Sequence, residues 1–313
     1  MSAVYIDVHG HLAPYGETGG GPPSLRDPAG SLAAKRALGV RMTIIGSPVG
    51  AGSMVPGAAA GNYDQPADRV RAHNELMGEL VDRFPAELRA YAYLDPFGDE
   101  AMLGQAAELV KDDRFAGLLI NSSVRGEYLG SERAADFFAM ADETGVPVLV
   151  HPPAEPSGTA GLHGHHGLIE HIARPCDVTI GIAAIVAGGW LERYPQLPLI
   201  AAAGGGGLAL LAEKLGLAVA RTPGRAASGP RLAGRAVDSL AKVYVETSCP
   251  SEAQLSANLR VFGSGRVLFG SDSPPLLAQL DRVTGLVSAL PAEDRDAVGW
   301  RNATALFGLP WPG

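Results

Sequence analysis

Short runs of apolar, β-prone residues recur along the chain, each separated from the next by a longer stretch with helical periodicity. The runs are Val4–Val8, Arg41–Gly46, Arg89–Leu94, Gly117–Asn121, Pro147–His151, Leu199–Ala203, Val243–Thr247 and Val267–Gly270. Most are continuously apolar rather than alternating, which is how strands buried on both faces of a parallel sheet read. Helices are expected between them at Pro66–Phe84, Glu100–Lys111, Ser131–Thr144, Ala183–Tyr194, Leu208–Ala220, Ser251–Phe262 and Leu276–Leu290. In the first of these, Val70, Met77, Leu80, Val81 and Phe84 fall near a helical repeat, so one face is apolar. Gly39 and Gly145 stand just before the next strand, where a helix end often needs a residue with positive φ.

Eight β–α alternations without a linker predict a single (β/α)8 TIM barrel over residues 1–313, with a doubly wound open sheet as the alternative. Three segments rich in Gly and Pro, Ala13–Asp27, Pro48–Asn62 and Pro152–Gly167, follow strands one, two and five. They read as loops over the C-terminal ends of the strands, the face on which barrel active sites are built. The stretch Gly224–Gly234 reads as a connection.

Composition narrows the class of function. Hydrophobic residues make up 46% of the chain and charged residues 19%, enough apolar surface for a large core, so global disorder is excluded. The 25 Lys and Arg against 33 Asp and Glu leave a net charge of −8 with no basic tract, which argues against nucleic acid as a partner. Cys176 and Cys249 cannot form a disulfide framework, and no basic start with an apolar run precedes Val4, so a cytoplasmic protein is expected. The uncharged stretch Leu197–Ala212 contains Pro198 and four glycines and is shorter than the about 20 residues that span a bilayer, so no membrane association is expected.

Candidate chemistry starts at Asp7-Val8-His9-Gly10-His11, which closes the first strand. Residues two apart in an extended chain share a face, so His9 and His11 project together. His151 ends the fifth strand and Asp272 follows the eighth. A single His or Asp after an apolar strand is more often a cap or a satisfied polar group. Here barrel closure sets strand eight beside strand one and aims all four at one mouth. Three imidazoles and a carboxylate suit one divalent metal ion, zinc first, with manganese, iron or cobalt as alternatives. Such a set leaves a position open to water or substrate, and Asp272 can take the proton from that water.

These motifs, DVHGHL, VLVHPP and LFGSDSPP, together with YVETSC on strand seven and Asn302–Leu309 near the end, resemble the amidohydrolase superfamily. More narrowly, they look like its amidohydrolase-related, aminocarboxymuconate-semialdehyde decarboxylase-like branch. The resemblance implies a (β/α)8 barrel with one metal ion on His9, His11, His151 and Asp272. It also implies a small polar substrate, carboxylated or aromatic, and a homodimer. The expected reaction is hydrolysis through a metal-bound water, with non-oxidative decarboxylation as the alternative.

The chain departs from that branch after strand six, where the branch carries a histidine followed by glycines. Here the segment reads Leu199-Ile200-Ala201-Ala202-Ala203 and then Gly204 to Gly207, so Ala202 or Ala203 takes the place of the acid–base histidine. Losing such a group typically costs about 10²–10⁴ in rate. Three expectations follow: His163, His165 or His166 on the loop after strand five replaces it, Asp272 manages the proton alone, or the protein is a catalytically weak ligand-binding homologue. Arg125, Arg174 and Asn121 are candidates for substrate contact, the arginines through a carboxylate. Cys249 lacks a base partner and is a poor nucleophile candidate, and His73 and His171 are expected to be structural.

Overall fold

The computed structural model describes residues 3–12, 25, 27–46, 66–220 and 236–310. The expected loops at 13–27 and 48–62 and the connection at 224–234 lie outside these residues, apart from Leu25 and Asp27.

Eight strands form one sheet: β1 (Tyr5–Gly10), β2 (Val40–Ile45), β3 (Leu88–Tyr93), β4 (Phe115–Asn121), β5 (Val148–His151), β6 (Leu199–Ala201), β7 (Tyr244–Glu246) and β8 (Val267–Leu268). Their spatial order follows chain order and every pairing is parallel. The last strand meets the first. Val8 N donates to Phe269 O (2.9 Å), Asp272 N to His9 O (2.7 Å) and His11 N to Ser273 O (2.8 Å), which curls the sheet into a barrel. The open-sheet alternative is thereby excluded.

Helices α1 (Pro28–Ala37), α2 (Ala67–Arg83), α3 (Glu100–Leu109), α4 (Ala135–Thr144), α5 (Arg174–Gly188), α6 (Leu208–Ala220), α7 (Glu252–Phe262) and α8 (Leu280–Ser288) alternate with the strands. Side-chain caps fix several starts: Asp27 accepts from Gly30 N, Asp99 from Met102 N and Ser251 from Gln254 N. The strands are buried on both sides, as continuous apolar runs require: every residue of β1 and of β5 is buried. Each fully buried aliphatic side chain, such as Ile6 or Ile44, contributes roughly 1.5–3 kcal/mol.

The helix expected at Ala183–Tyr194 instead begins at Arg174 and stops at Gly188, where Gly189 adopts φ 83° and a separate turn, Trp190–Arg193, follows. Its early turns hide a buried charge that reads as a helix boundary in sequence. Asp177 accepts hydrogen bonds from Ser122 Oγ, from Ser123 Oγ (3.0 Å) and from the Tyr128 hydroxyl (2.8 Å). Those donors sit on or beside a small antiparallel hairpin, Ser123–Val124 with Glu127–Tyr128, that has no apolar signature. The helical stretch His166–Gly188 is, among the described residues, the one long and apolar enough to cross a membrane by length and composition. Val178, Ile182, Ile185 and Val186 on it are buried in the barrel core.

Candidate metal centre

His9 and His11 leave β1, His151 ends β5, and Asp272 lies four residues past β8. The ligand atoms of these four residues all fall within 4.8 Å of one another. Asp272 reaches the cluster through a backbone that few non-glycine residues adopt, with φ 50°. The turn is pinned by Asp272 N to His9 O and by Leu276 N to Asp272 O (2.9 Å), which aims the carboxylate back at strand one. Its Oδ1 lies 2.9 Å from His11 Nε2 and 3.8 Å from His9 Nε2. The three imidazole centroids are 5.0–5.2 Å apart with interplanar angles of 83–90°, so three ring edges converge on one point.

Two of the rings are oriented through a hydrogen bond at their other nitrogen: His11 Nδ1 lies 2.5 Å from Gly46 O and His151 Nδ1 lies 2.9 Å from Pro152 O. His9 Nδ1 faces the Glu246 carboxylate at 3.4 Å without a hydrogen bond among the described residues. At His11 and His151 the carbonyl places the proton on Nδ1 and leaves Nε2 with a free lone pair, the tautomer a metal ligand needs. Both nitrogens of His9 and His151 Nε2 are buried and have no hydrogen-bond partner among the described residues, and for the two inward-facing Nε2 atoms this is costly unless an ion fills the gap. The donor set therefore fits a single divalent metal ion.

Electrostatics point the same way. Burial opposes a charge on Asp272, but His9, His11 and Arg174 together outweigh it and hold the carboxyl well below the usual carboxylate range. His151 is driven well below the usual imidazole value by burial, then by the charges of His9, His11 and Arg174, so it presents a neutral ring. Burial also opposes a proton on His9, yet the carboxylates of Asp272, Glu246 and Asp7 prevail and raise its pKa.

Two buried carboxylates that the sequence reading passed over hold the centre in place. Asp7, fully buried, accepts from Lys35 Nζ (2.6 Å), Ser271 Oγ (2.6 Å), Ser271 N (3.0 Å) and His9 N (3.1 Å). Glu246, also fully buried, accepts from Ser248 N (2.6 Å), Ser248 Oγ (2.7 Å) and Gly204 N (2.9 Å). A charged residue inside an otherwise apolar strand, as in the YVETSC segment, was the available signal.

The segment that lacks the strand-six histidine forms a tight corner. Ala203, Gly204, Gly205 and Gly206 all have positive φ, from 53° to 73°. A side chain at Gly206 would begin 2.2 Å from Pro175 O, so only glycine lets α5 pack there. Gln254 Nε2 donates to Gly204 O and Gly206 O, and Asn258 Nδ2 to Gly204 O, which locks the corner to α7.

The other expected site residues fall at different depths. Asn121 ends β4 in register with His151 and is 1% exposed. The Arg174 side chain is 13% exposed, pairs with Glu170, and keeps a buried Nε without a partner among the described residues. Its charge reaches His151 and Asp272. His163, His165 and His166 are exposed and stand outside the four-residue cluster. His166 and the exposed Arg125 border a separate cleft of about 390 Å³, together with Glu155 and Thr159. Cys249 is half-buried with its thiol pKa raised by burial and then by Glu246, the opposite of an activated nucleophile. His73 is buried against Tyr93, as expected of a structural residue.

A parallel barrel whose strand ends gather three imidazoles and a carboxylate defines a metal-dependent barrel enzyme. The amidohydrolase family profile matches residues 6–309, nearly the whole chain, and the chain belongs to that family. The γ-resorcylate decarboxylase of a Polaromonas species is 24% identical over 260 residues, covering 77% of this chain and 77% of the relative. Among solved structures, 2,6-dihydroxybenzoate decarboxylase from Rhizobium superposes with a TM-score of 0.79 at 20% identity, over 98% of this chain and 99% of that one. A Polaromonas dihydroxybenzoic acid decarboxylase, solved with manganese and the inhibitor 2-nitroresorcinol, gives 0.77 at 21% identity, over 98% and 97% of the two chains.

Proposed function

We propose that this protein is a metal-dependent, non-oxidative decarboxylase of a small aromatic carboxylic acid. The observation that carries the reading is the convergence of three imidazole edges and the Asp272 carboxylate, with the His11 and His151 rings held by their opposite nitrogens. Hydrolysis, the leading expectation from sequence, is the broad chemistry of the family, whereas the relatives named above are decarboxylases.

A divalent ion bound here supplies positive charge that draws in substrate oxygens and withdraws electron density from the ring. Zinc suits the donor set, and manganese occupies the Polaromonas structure. Arg174 carries the fixed positive charge that orients the substrate carboxylate, and its buried Nε supplies a free donor. Asp272, ionised at rest and with a side chain 19% exposed where those of His9 and His11 are 2%, takes up a proton from solvent only transiently and passes it to the ring carbon as carbon dioxide leaves. The exposed positions of His163, His165 and His166 favour Asp272 over the loop in this role. A cytoplasmic location fits the two free thiols.

The test is a panel of hydroxybenzoates incubated with protein of measured zinc and manganese content, following carbon dioxide and phenol release. Turnover that disappears together with the metal in His151→Ala supports the reading. Full metal occupancy with no decarboxylation, or with cleavage of amides and esters instead, overturns it.

A further inference from the structure

The polar end of Asn121 is half used. Its Nδ2 donates to the Tyr93 hydroxyl (3.2 Å), while Oδ1 is buried and has no partner among the described residues. Asn121 pairs in register with His151 across β4 and β5, and in-register neighbours of a sheet project from the same face. Tyr93 pairs with Leu119, two residues before Asn121, so the tyrosine shares that face too. The free oxygen therefore stands on the inner side of the barrel mouth, one strand from a metal ligand. A buried acceptor left empty costs about 1–3 kcal/mol, so its presence in a well-packed core calls for a donor that arrives from outside. A substrate carboxylate offers no donor at neutral pH. A hydroxyl on the ring does.

Building on the decarboxylase reading, we infer that Asn121 is a specificity-determining residue whose Oδ1 accepts a hydrogen bond from a hydroxyl group of the aromatic substrate. Tyr93 is its positioning residue, since its hydroxyl oxygen engages the amide NH2 and leaves the carbonyl oxygen for the ligand. The site thereby separates hydroxylated from plain aryl carboxylates, because binding the plain one leaves Oδ1 buried and unpaired.

The experiment is calorimetric titration of the metal-loaded protein with 2,6-dihydroxybenzoate and with benzoate, in the wild type, Asn121→Leu and Tyr93→Phe, with metal content measured for each. The wild type should bind the hydroxylated ligand at least about tenfold more tightly. In Asn121→Leu the ratio should fall to about one with the metal retained, and Tyr93→Phe should reduce it by a smaller factor. An unchanged ratio in Asn121→Leu overturns the inference. Should that variant fail to fold, an undiminished ratio in Tyr93→Phe overturns it. Equal wild-type affinity for both ligands overturns it while leaving the decarboxylase reading intact, whereas a fully metallated wild type that binds neither removes both.

Discussion

The Nδ1 atom of His9 lies 3.4 Å from the Oε1 atom of Glu246, and neither side chain reaches solvent. Glu246 in turn accepts Gly204 N, so one carboxylate ties a metal-facing imidazole on β1 to the glycine corner that follows β6. Outer partners of this kind fix the ring and raise its basicity, and removing one typically weakens metal binding about 10–100-fold. Glu246→Gln should show that loss in a chelator-competition titration while the far-ultraviolet circular dichroism spectrum stays unchanged. Wild-type metal affinity in the variant would reduce Glu246 to a brace for the corner.

The charge of Arg174 reaches the centre, lowering the pKa of both His151 and Asp272. If it orients the substrate carboxylate, Arg174→Gln should raise KM by roughly 10–100-fold, the worth of a hydrogen bond to a charged group. Metal content should not change. Arg174→Lys should recover part of the loss, because the charge survives and the planar fork does not. A variant with lowered kcat and unaltered KM would assign the arginine to the chemical step instead.

Lys35 and Asp7 form a buried ion pair at 2.6 Å, with the lysine side chain 4% exposed and the aspartate side chain fully buried. Removing one member of such a pair leaves an uncompensated charge and costs about 3–5 kcal/mol. Lys35→Met should lower stability to chemical denaturation by that order. The double variant with Asp7→Asn should regain a large part, and a single variant as stable as the wild type would show that Ser271 and the His9 amide suffice for Asp7.

His73 provides a pH dependence independent of the metal. Burial, then the charge of Arg69, pushes its pKa from 6.5 down to about 4. Above pH 6.5 the ring is neutral in folded and unfolded chains alike. Between 6.5 and 4 the unfolded chain takes up a proton that the folded one refuses, so stability falls as pH falls, by up to about 3 kcal/mol. Denaturant midpoints measured across that window should slope less steeply for His73→Gln than for the wild type.

The four metal-facing residues were legible because two local rules suffice to find them: alternate residues of a strand share a face, and barrel strands present their C-terminal ends to one mouth. His9, His11, His151 and Asp272 each stand at such an end in the sequence. Strand centres were legible for the same reason, since an apolar run marks burial. Asp7 and Glu246 were not, because what keeps a charge inside an apolar strand is a partner distant in sequence, such as Ser271 for Asp7. Helix α5 was misplaced at its start because Asp177 looks like a surface residue until the hydroxyls of Ser122, Ser123 and Tyr128 are folded against it. Asn121 was visible as a strand-end residue, but its unpaired oxygen depends on Tyr93, a contact that sequence spacing does not reveal.

The bonds between the first strand and the segment after the last one link residues 264 positions apart in the chain. Contacts that distant carry the largest loop-closure entropy, so this seam is among the costliest parts of the fold to assemble. His9 and His11 stand on one side of it and Asp272 on the other. A cation shared by those ligands binds only after the first strand and the segment past the last have met, and its binding energy adds to the stability of the joined state. The ion that would serve the chemistry would also clasp the first strand of the barrel to the segment that follows its last.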